Sequence, residues 1–236
     1  MADQLCVYCG VEVADTVDHV PPRLLLAPPY PDNLITVPSC SRCNFSFQKD
    51  DEYTRFMTSV DRNAAKQRVV QTNMPAIIRS LQRPEAKKFA SYLAGQSALS
   101  WILDAQGRPM GRYFEPDRNR MNTTGERMVR GLYFVESGQP VPASKQIRVA
   151  CKSGLTVEHP DMIQFARLFR SFSDKRHKSI GDAFEYLVGF HGESSVWLLL
   201  LYDQFAWLAR VQEAVPGGNS KIALSGKSVS QNPVSG

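Results

Sequence analysis

The spacing of apolar residues changes several times along the chain, and each change marks an element. Thr16 to Val20 alternates as a short strand, and Pro21-Pro22 ends it because proline cannot donate to a ladder. Leu34 to Val37 is a second short strand, followed by Pro38. Tyr53, Phe56, Met57 and Val60 carry helical spacing in a helix starting near Asn44. Pro75 and Pro84 suit first helical turns, which predicts helices near 75–83 and 84–95. Trp101–Leu103 and Arg112–Phe114 flank an Asp-Ala-Gln-Gly turn and predict a hairpin. Residues 120–136 read as a helix weakened by Gly125 and stopped by Gly138. Gln146–Cys151 reads as a strand. Residues 160–172 read as an amphipathic helix with Met162, Phe165, Phe169 and Phe172 on one side, as a core stripe. Segments near 182–190, 195–202 and 205–213 form a meander broken at His191-Gly192-Glu193 and Asp203-Gln204, with the Trp197 to Trp207 strands as sheet core.

The expected fold class is α+β. A small N-terminal module over residues 1–70 precedes an accessory domain over 71–214, with helices and a mostly antiparallel sheet. Residues 215–236, rich in Gly, Ser and Asn, read as a disordered tail. The apolar fraction of 43% suffices for a core. The longest apolar run, Val196–Tyr202, falls well short of the roughly 20 residues of a membrane span. The start, Met-Ala-Asp-Gln, has neither a basic nor an apolar leader pattern, so a soluble, cytoplasmic protein with no membrane partner is expected.

Charge is uneven. The net is +5, yet residues 1–50 hold three basic and six acidic side chains, whereas 51–95 hold eight basic and four acidic. A grip on a polyanion is therefore expected behind the first fifty residues.

Four of the five cysteines are paired as Cys6-x2-Cys9 and Cys40-x2-Cys43. In a reducing compartment this doubled spacing reads as a tetrahedral structural zinc site, and four thiolates leave no coordination position open for catalysis. Cys151 stands alone and reads as a small buried apolar group.

Between the cysteine pairs lie Asp18-His19-Val20-Pro21-Pro22 and Asn33-Leu34, and Asn44 follows the last cysteine directly. Over about residues 5–55 this order resembles the zinc-containing HNH endonuclease family, in a His-Asn-Asn variant, which implies that residues 1–70 form a treble-clef or ββα-metal zinc module. The resemblance implies that His19 is the general base for a water attacking a phosphodiester. It also implies that Asp18 and Asn44 hold a catalytic Mg2+ or Mn2+, and that Asn33 braces the loop carrying His19. Products would carry a 5′-phosphate and a 3′-hydroxyl. The loop after His19 is rich in proline and leucine where the family often has glycines, which bears on substrate placement.

Arg55, Arg62, Lys66 and Arg68 continue along the same helix, either as a phosphate track or as ordinary surface charge. Asn44, Gln48 and Asp51 share one helix face beside the proposed metal; Asp51 or Glu52 could hold it through water, with a solvated acidic face as the expected reading. A second basic cluster, Arg167 to Lys178, lies on and after the amphipathic helix. The expected function is a metal-dependent endonuclease acting on DNA rather than RNA; a homodimer would bring two sites together for a double-strand cut. The alternative is a non-catalytic zinc-containing nucleic-acid-binding or regulatory protein.

Overall fold

The computed structural model describes residues 4–61, 64–97, 101–103, 105–106, 108–112 and 116–214. The expected tail and Arg62 lie outside the described residues. The N-terminal strands β1 (Thr16–Val20) and β2 (Ile35–Ser39) pair antiparallel, with His19 opposite Thr36 and Asp18 opposite Val37. Pro38 is tolerated inside β2 because the ribbon has only two strands. Helix α1 (Ser41–Val60) follows at once, its first turn capped where the Cys43 amide donates to the Cys40 sulfur.

Helix α1 stops at Val60. The Asp61 side chain accepts from the Ala64 amide and opens a short 3-10 turn over Ala64–Lys66. Arg55, Lys66 and Arg68 therefore do not share one helix, as the sequence suggested: Lys66 sits in the turn and Arg68 begins α2 (Arg68–Leu81). Helix α2 starts seven residues before the position Pro75 suggests. Pro75 is exposed inside it, as is Gln71 one turn earlier, so water can satisfy the carbonyl that loses its intrahelical partner. A 3-10 turn over Pro84–Ala86 leads into α3 (Lys87–Ser97). The hairpin forms from β3 (Trp101–Leu103) and β4 (Pro109–Arg112), so its second strand begins earlier than expected. Tyr113 and Phe114 lie outside the described residues.

The centre of the molecule is α4 (Arg118–Ser137), started by an Asp117 cap and ended at Gly138 with φ 73°. Its sheet combines β5 (Lys145–Ser153), β6 (Asp174–Ile180), β7 (Phe184–His191), β8 (Ser194–Leu201) and β9 (Phe205–Glu213), antiparallel in the order β5-β9-β8-β7-β6. Two glycines explain how α4 fits between sheet and module. A Cβ on Gly125 would lie 2.3 Å from Trp207 Cδ1, and one on Gly131 would lie 2.6 Å from Val20 Cγ2. The first lets the sheet approach; the second lets β1 approach. One continuous apolar core thus runs from Val7, Val20 and Val37 through Met128 and Leu132 to Trp197 and Trp207.

Helix α5 (Pro160–Arg170) lies on the opposite sheet face, where Phe169 and Phe172 pack over Gly189. Strand β6 was not expected, because its run of basic residues lacks an apolar alternation. It forms because α4 supplies the counter-charge: Glu136 accepts from Arg176 (2.8 Å) and Lys178 (2.8 Å). His177 meets Glu185 at 2.8 Å. Much of the second basic cluster is therefore neutralised within the fold.

Candidate functional site

The sulfur atoms of Cys6, Cys9, Cys40 and Cys43 all lie within 4.8 Å of one another. A tetrahedral ion with bonds of about 2.3 Å would draw such sulfurs to roughly 3.8 Å apart, and Cys9 and Cys40 already stand at 4.0 Å. These cysteines are positioned to bind a metal ion, and the donor set is consistent with structural zinc. Burial pushes Cys40 up to about 11, and burial together with the neighbouring sulfurs raises Cys43. Four thiolates this close repel one another, and a dication removes that repulsion. The first knuckle docks on the ribbon through the Val7 amide to the Pro38 carbonyl (3.0 Å), which ties the cluster to β2.

From this frame β1 presents Asp18 and His19 to one cavity, Asp18 as a buried group and His19 as a half-buried one. Asp18 is 4% exposed and faces α4. Arg127 of α4 donates from Nε to Asp18 Oδ2 at 2.7 Å and from a terminal nitrogen to Oδ1, and its other terminal nitrogen binds Asp51. The Tyr8 hydroxyl also donates to Asp18 Oδ2, and the His19 amide donates to Oδ1 at 2.8 Å. Burial works against the charge on Arg127, but Asp51 and Asp18 overcome it and raise its pKa. Burial pushes the Asp51 carboxyl up to about 6, with Arg127 resisting. Asp51 is thus a buried ion-pair partner rather than part of a solvated face.

His19, half-buried, opens into a cavity of about 370 Å³ that Arg23, Gln48 and Glu52 also line, with the Asp18–Arg127–Asp51 triad in its wall. Burial, and then the positive charge of Arg23, lowers the His19 pKa. The imidazole is therefore mostly neutral at pH 7, the state in which it accepts a proton. Arg23 lies over the Tyr30 ring at 4.3 Å, which steadies a cation at the cavity rim.

The other expected site residues are dispersed. Asn33 donates to the Ser179 carbonyl (2.9 Å) and accepts from the Gly181 amide (3.2 Å), so it clamps the loop after His19 to the β6–β7 turn. The Tyr202 hydroxyl fastens the same loop through the Leu25 carbonyl (2.6 Å). Asn44 donates to the Val17 carbonyl at 3.3 Å and does not line the His19 cavity. The expected cation pair of Asp18 and Asn44 does not fit this arrangement. Both Asp18 oxygens are engaged by a guanidinium, which already supplies the local positive charge. Arg55 is half-buried, donates to Asn73 at 3.4 Å and buries its Nε without a hydrogen-bond partner among the described residues. Lys66 and Arg68 are exposed.

Sequence reasoning missed Arg127, Arg23 and Tyr8. Arg127 lies 109 positions from Asp18, and no local spacing connects them. Arg23, four positions after His19, was visible as a basic residue beside the motif. No protein-family model matches the chain, and no curated protein or solved structure matches it either.

Proposed function

We propose that this chain is an endonuclease that hydrolyses phosphodiester bonds in DNA, with His19 as general base. The observation that carries the reading is a largely neutral imidazole opening from a strand end into a cavity with an arginine at its rim. One imidazole nitrogen takes a proton from water as the water oxygen attacks phosphorus. The bond to the 3′-oxygen breaks, and that oxygen takes up a proton to leave a 3′-hydroxyl opposite a 5′-phosphate. Arg23 neutralises phosphate charge at the rim. The cysteine cluster holds zinc as a structural ion, and the ribbon and α1 form a ββα-metal module over about residues 5–55. The order of Asp18, His19, Asn33 and Asn44 within the cysteine frame supports this, as in HNH endonucleases.

A divalent cation would meet Glu52 and the Gln48 side-chain carbonyl, hard oxygen donors one turn apart on α1 that line the cavity. When bound it would neutralise charge on the phosphate. Asp18 instead positions the strand: through Arg127 it fixes β1, and therefore His19, against α4.

The test is relaxation of supercoiled plasmid by zinc-loaded protein with added Mg2+ or Mn2+, compared with His19→Ala, Glu52→Gln and Arg23→Ala. Loss of nicking in His19→Ala, with zinc content and melting temperature unchanged, is the expected result. Full activity in that variant would overturn the assignment. The capture of Asp18 by Arg127 favours a second reading, a nucleic-acid-binding module that kept the metal frame without cleavage. That reading predicts plasmid binding without nicking under every cation.

A further inference from the structure

On the sheet face away from His19, a cleft of about 360 Å³ lies between α5 and strands β5 and β9. Val196 and Leu208 form its floor, with Phe165 and Leu168 of α5 as its wall. Lys152 closes one end by pairing with Asp161 of α5 at 2.7 Å. At the other end stand Arg148 and Arg210, which line the cleft and face each other directly across the β5–β9 register. Both are exposed, and neither has an ion-pair or hydrogen-bond partner among the described residues. Like charges placed directly opposite on a sheet repel, so this pair lacks an anion.

We propose that this cleft binds a small amphipathic organic anion, its carboxylate or phosphate head held by Arg148 and Arg210 and its apolar body lying along Leu208 toward Lys152. Two guanidinium forks side by side suit a planar or tetrahedral oxyanion. Lys152 lies four positions along β5 from Arg148, a length of about 13 Å at about 3.3 Å per residue. That matches an extended chain of roughly ten carbons. Ala150, midway between them on β5 and opposite Leu208, is small enough to leave the channel open. The chain's own residues 215–236 hold two lysines and no acidic side chain, so they do not supply the missing charge. Because α5 and the cleft sit behind the sheet, this site does not depend on the nuclease reading.

The test is fluorescence titration of the full, zinc-loaded chain with 8-anilinonaphthalene-1-sulfonate, followed by competition with decanoate, decyl phosphate, decanol and a short single-stranded oligonucleotide. One saturable site is expected, displaced by decanoate or decyl phosphate and at least tenfold less well by decanol. Whichever head group displaces better identifies it. Arg148→Gln with Arg210→Gln should weaken probe binding at least tenfold while leaving the melting temperature unchanged. Unsaturable binding, or affinity unchanged in that double variant, overturns the proposal. So does displacement by the oligonucleotide as effectively as by decanoate, which would mark the arginines as a phosphate track.

Discussion

Replacing Arg127 with methionine tests how the module is joined to the rest of the chain. Arg127 is 4% exposed and is the guanidinium shared by Asp18 and Asp51, themselves 4% and 5% exposed. Methionine keeps much of the apolar volume and leaves two buried carboxylates without their cation. Removing one partner of a buried ion pair costs about 3–5 kcal/mol, and that range is expected at pH 7.5. The pH dependence makes the test specific. Burial raises the Asp51 pKa from 3.8 to about 6 in the folded protein. A carboxyl raised on folding contributes stability that is present below its unfolded pKa and lost as pH rises through its folded pKa. In the wild type this contribution falls between pH 5.5 and 7.5, by on the order of 1 kcal/mol. In Arg127→Met the Asp51 carboxyl loses its counter-charge and its pKa climbs further. More of the penalty should then be relieved at pH 5.5. Urea unfolding followed by fluorescence of Trp197 and Trp207 at the two pH values reads both numbers. A loss below about 1 kcal/mol, or one identical at both pH values, would refute the ion-pair account.

Other expectations follow from single contacts. Asp51→Asn should flatten the wild-type fall in stability between pH 5.5 and 7.5, measured by the same urea titrations. Gly125→Ala should lose about 1–3 kcal/mol by thermal melting, because its methyl would stand 2.3 Å from Trp207 Cδ1, whereas the more exposed Gly95, with nothing within 4 Å, should tolerate alanine. Cleavage, if His19 is the base, should fall as pH drops through a pKa below 6.5, the direction set by burial and Arg23; a midpoint above 6.5 in kcat/KM would contradict it. Chelation that removes the cysteine-bound ion should abolish ordered signals from residues 5–15 in an NMR spectrum and lower the melting temperature. An unchanged spectrum would show that the cluster needs no ion.

Features that depend on local spacing are legible along the chain. Two CxxC pairs brought four sulfurs together because each pair needs only one tight turn, and the ribbon and α1 between them need few residues. The Asp117 cap and Gly138 stop bound α4 for equally local reasons, and the meander follows apolar alternation. Gly125 looked like a weakness in α4 and proved to be where Trp207 enters, a requirement set by a strand some eighty residues later. Which charges meet is set by the packing of distant elements. Asp18 and His19 line the same cavity, but Asp18 is held there by Arg127, 109 positions away, a partner that no local spacing reveals. Asn33 found its partners at Ser179 and Gly181, and β6 found its counter-charge in Glu136. Periodicity is a property of neighbouring residues and can be read along a chain. An ion pair is a property of two surfaces brought together by core packing, and its partners carry no mark of each other until the core has formed.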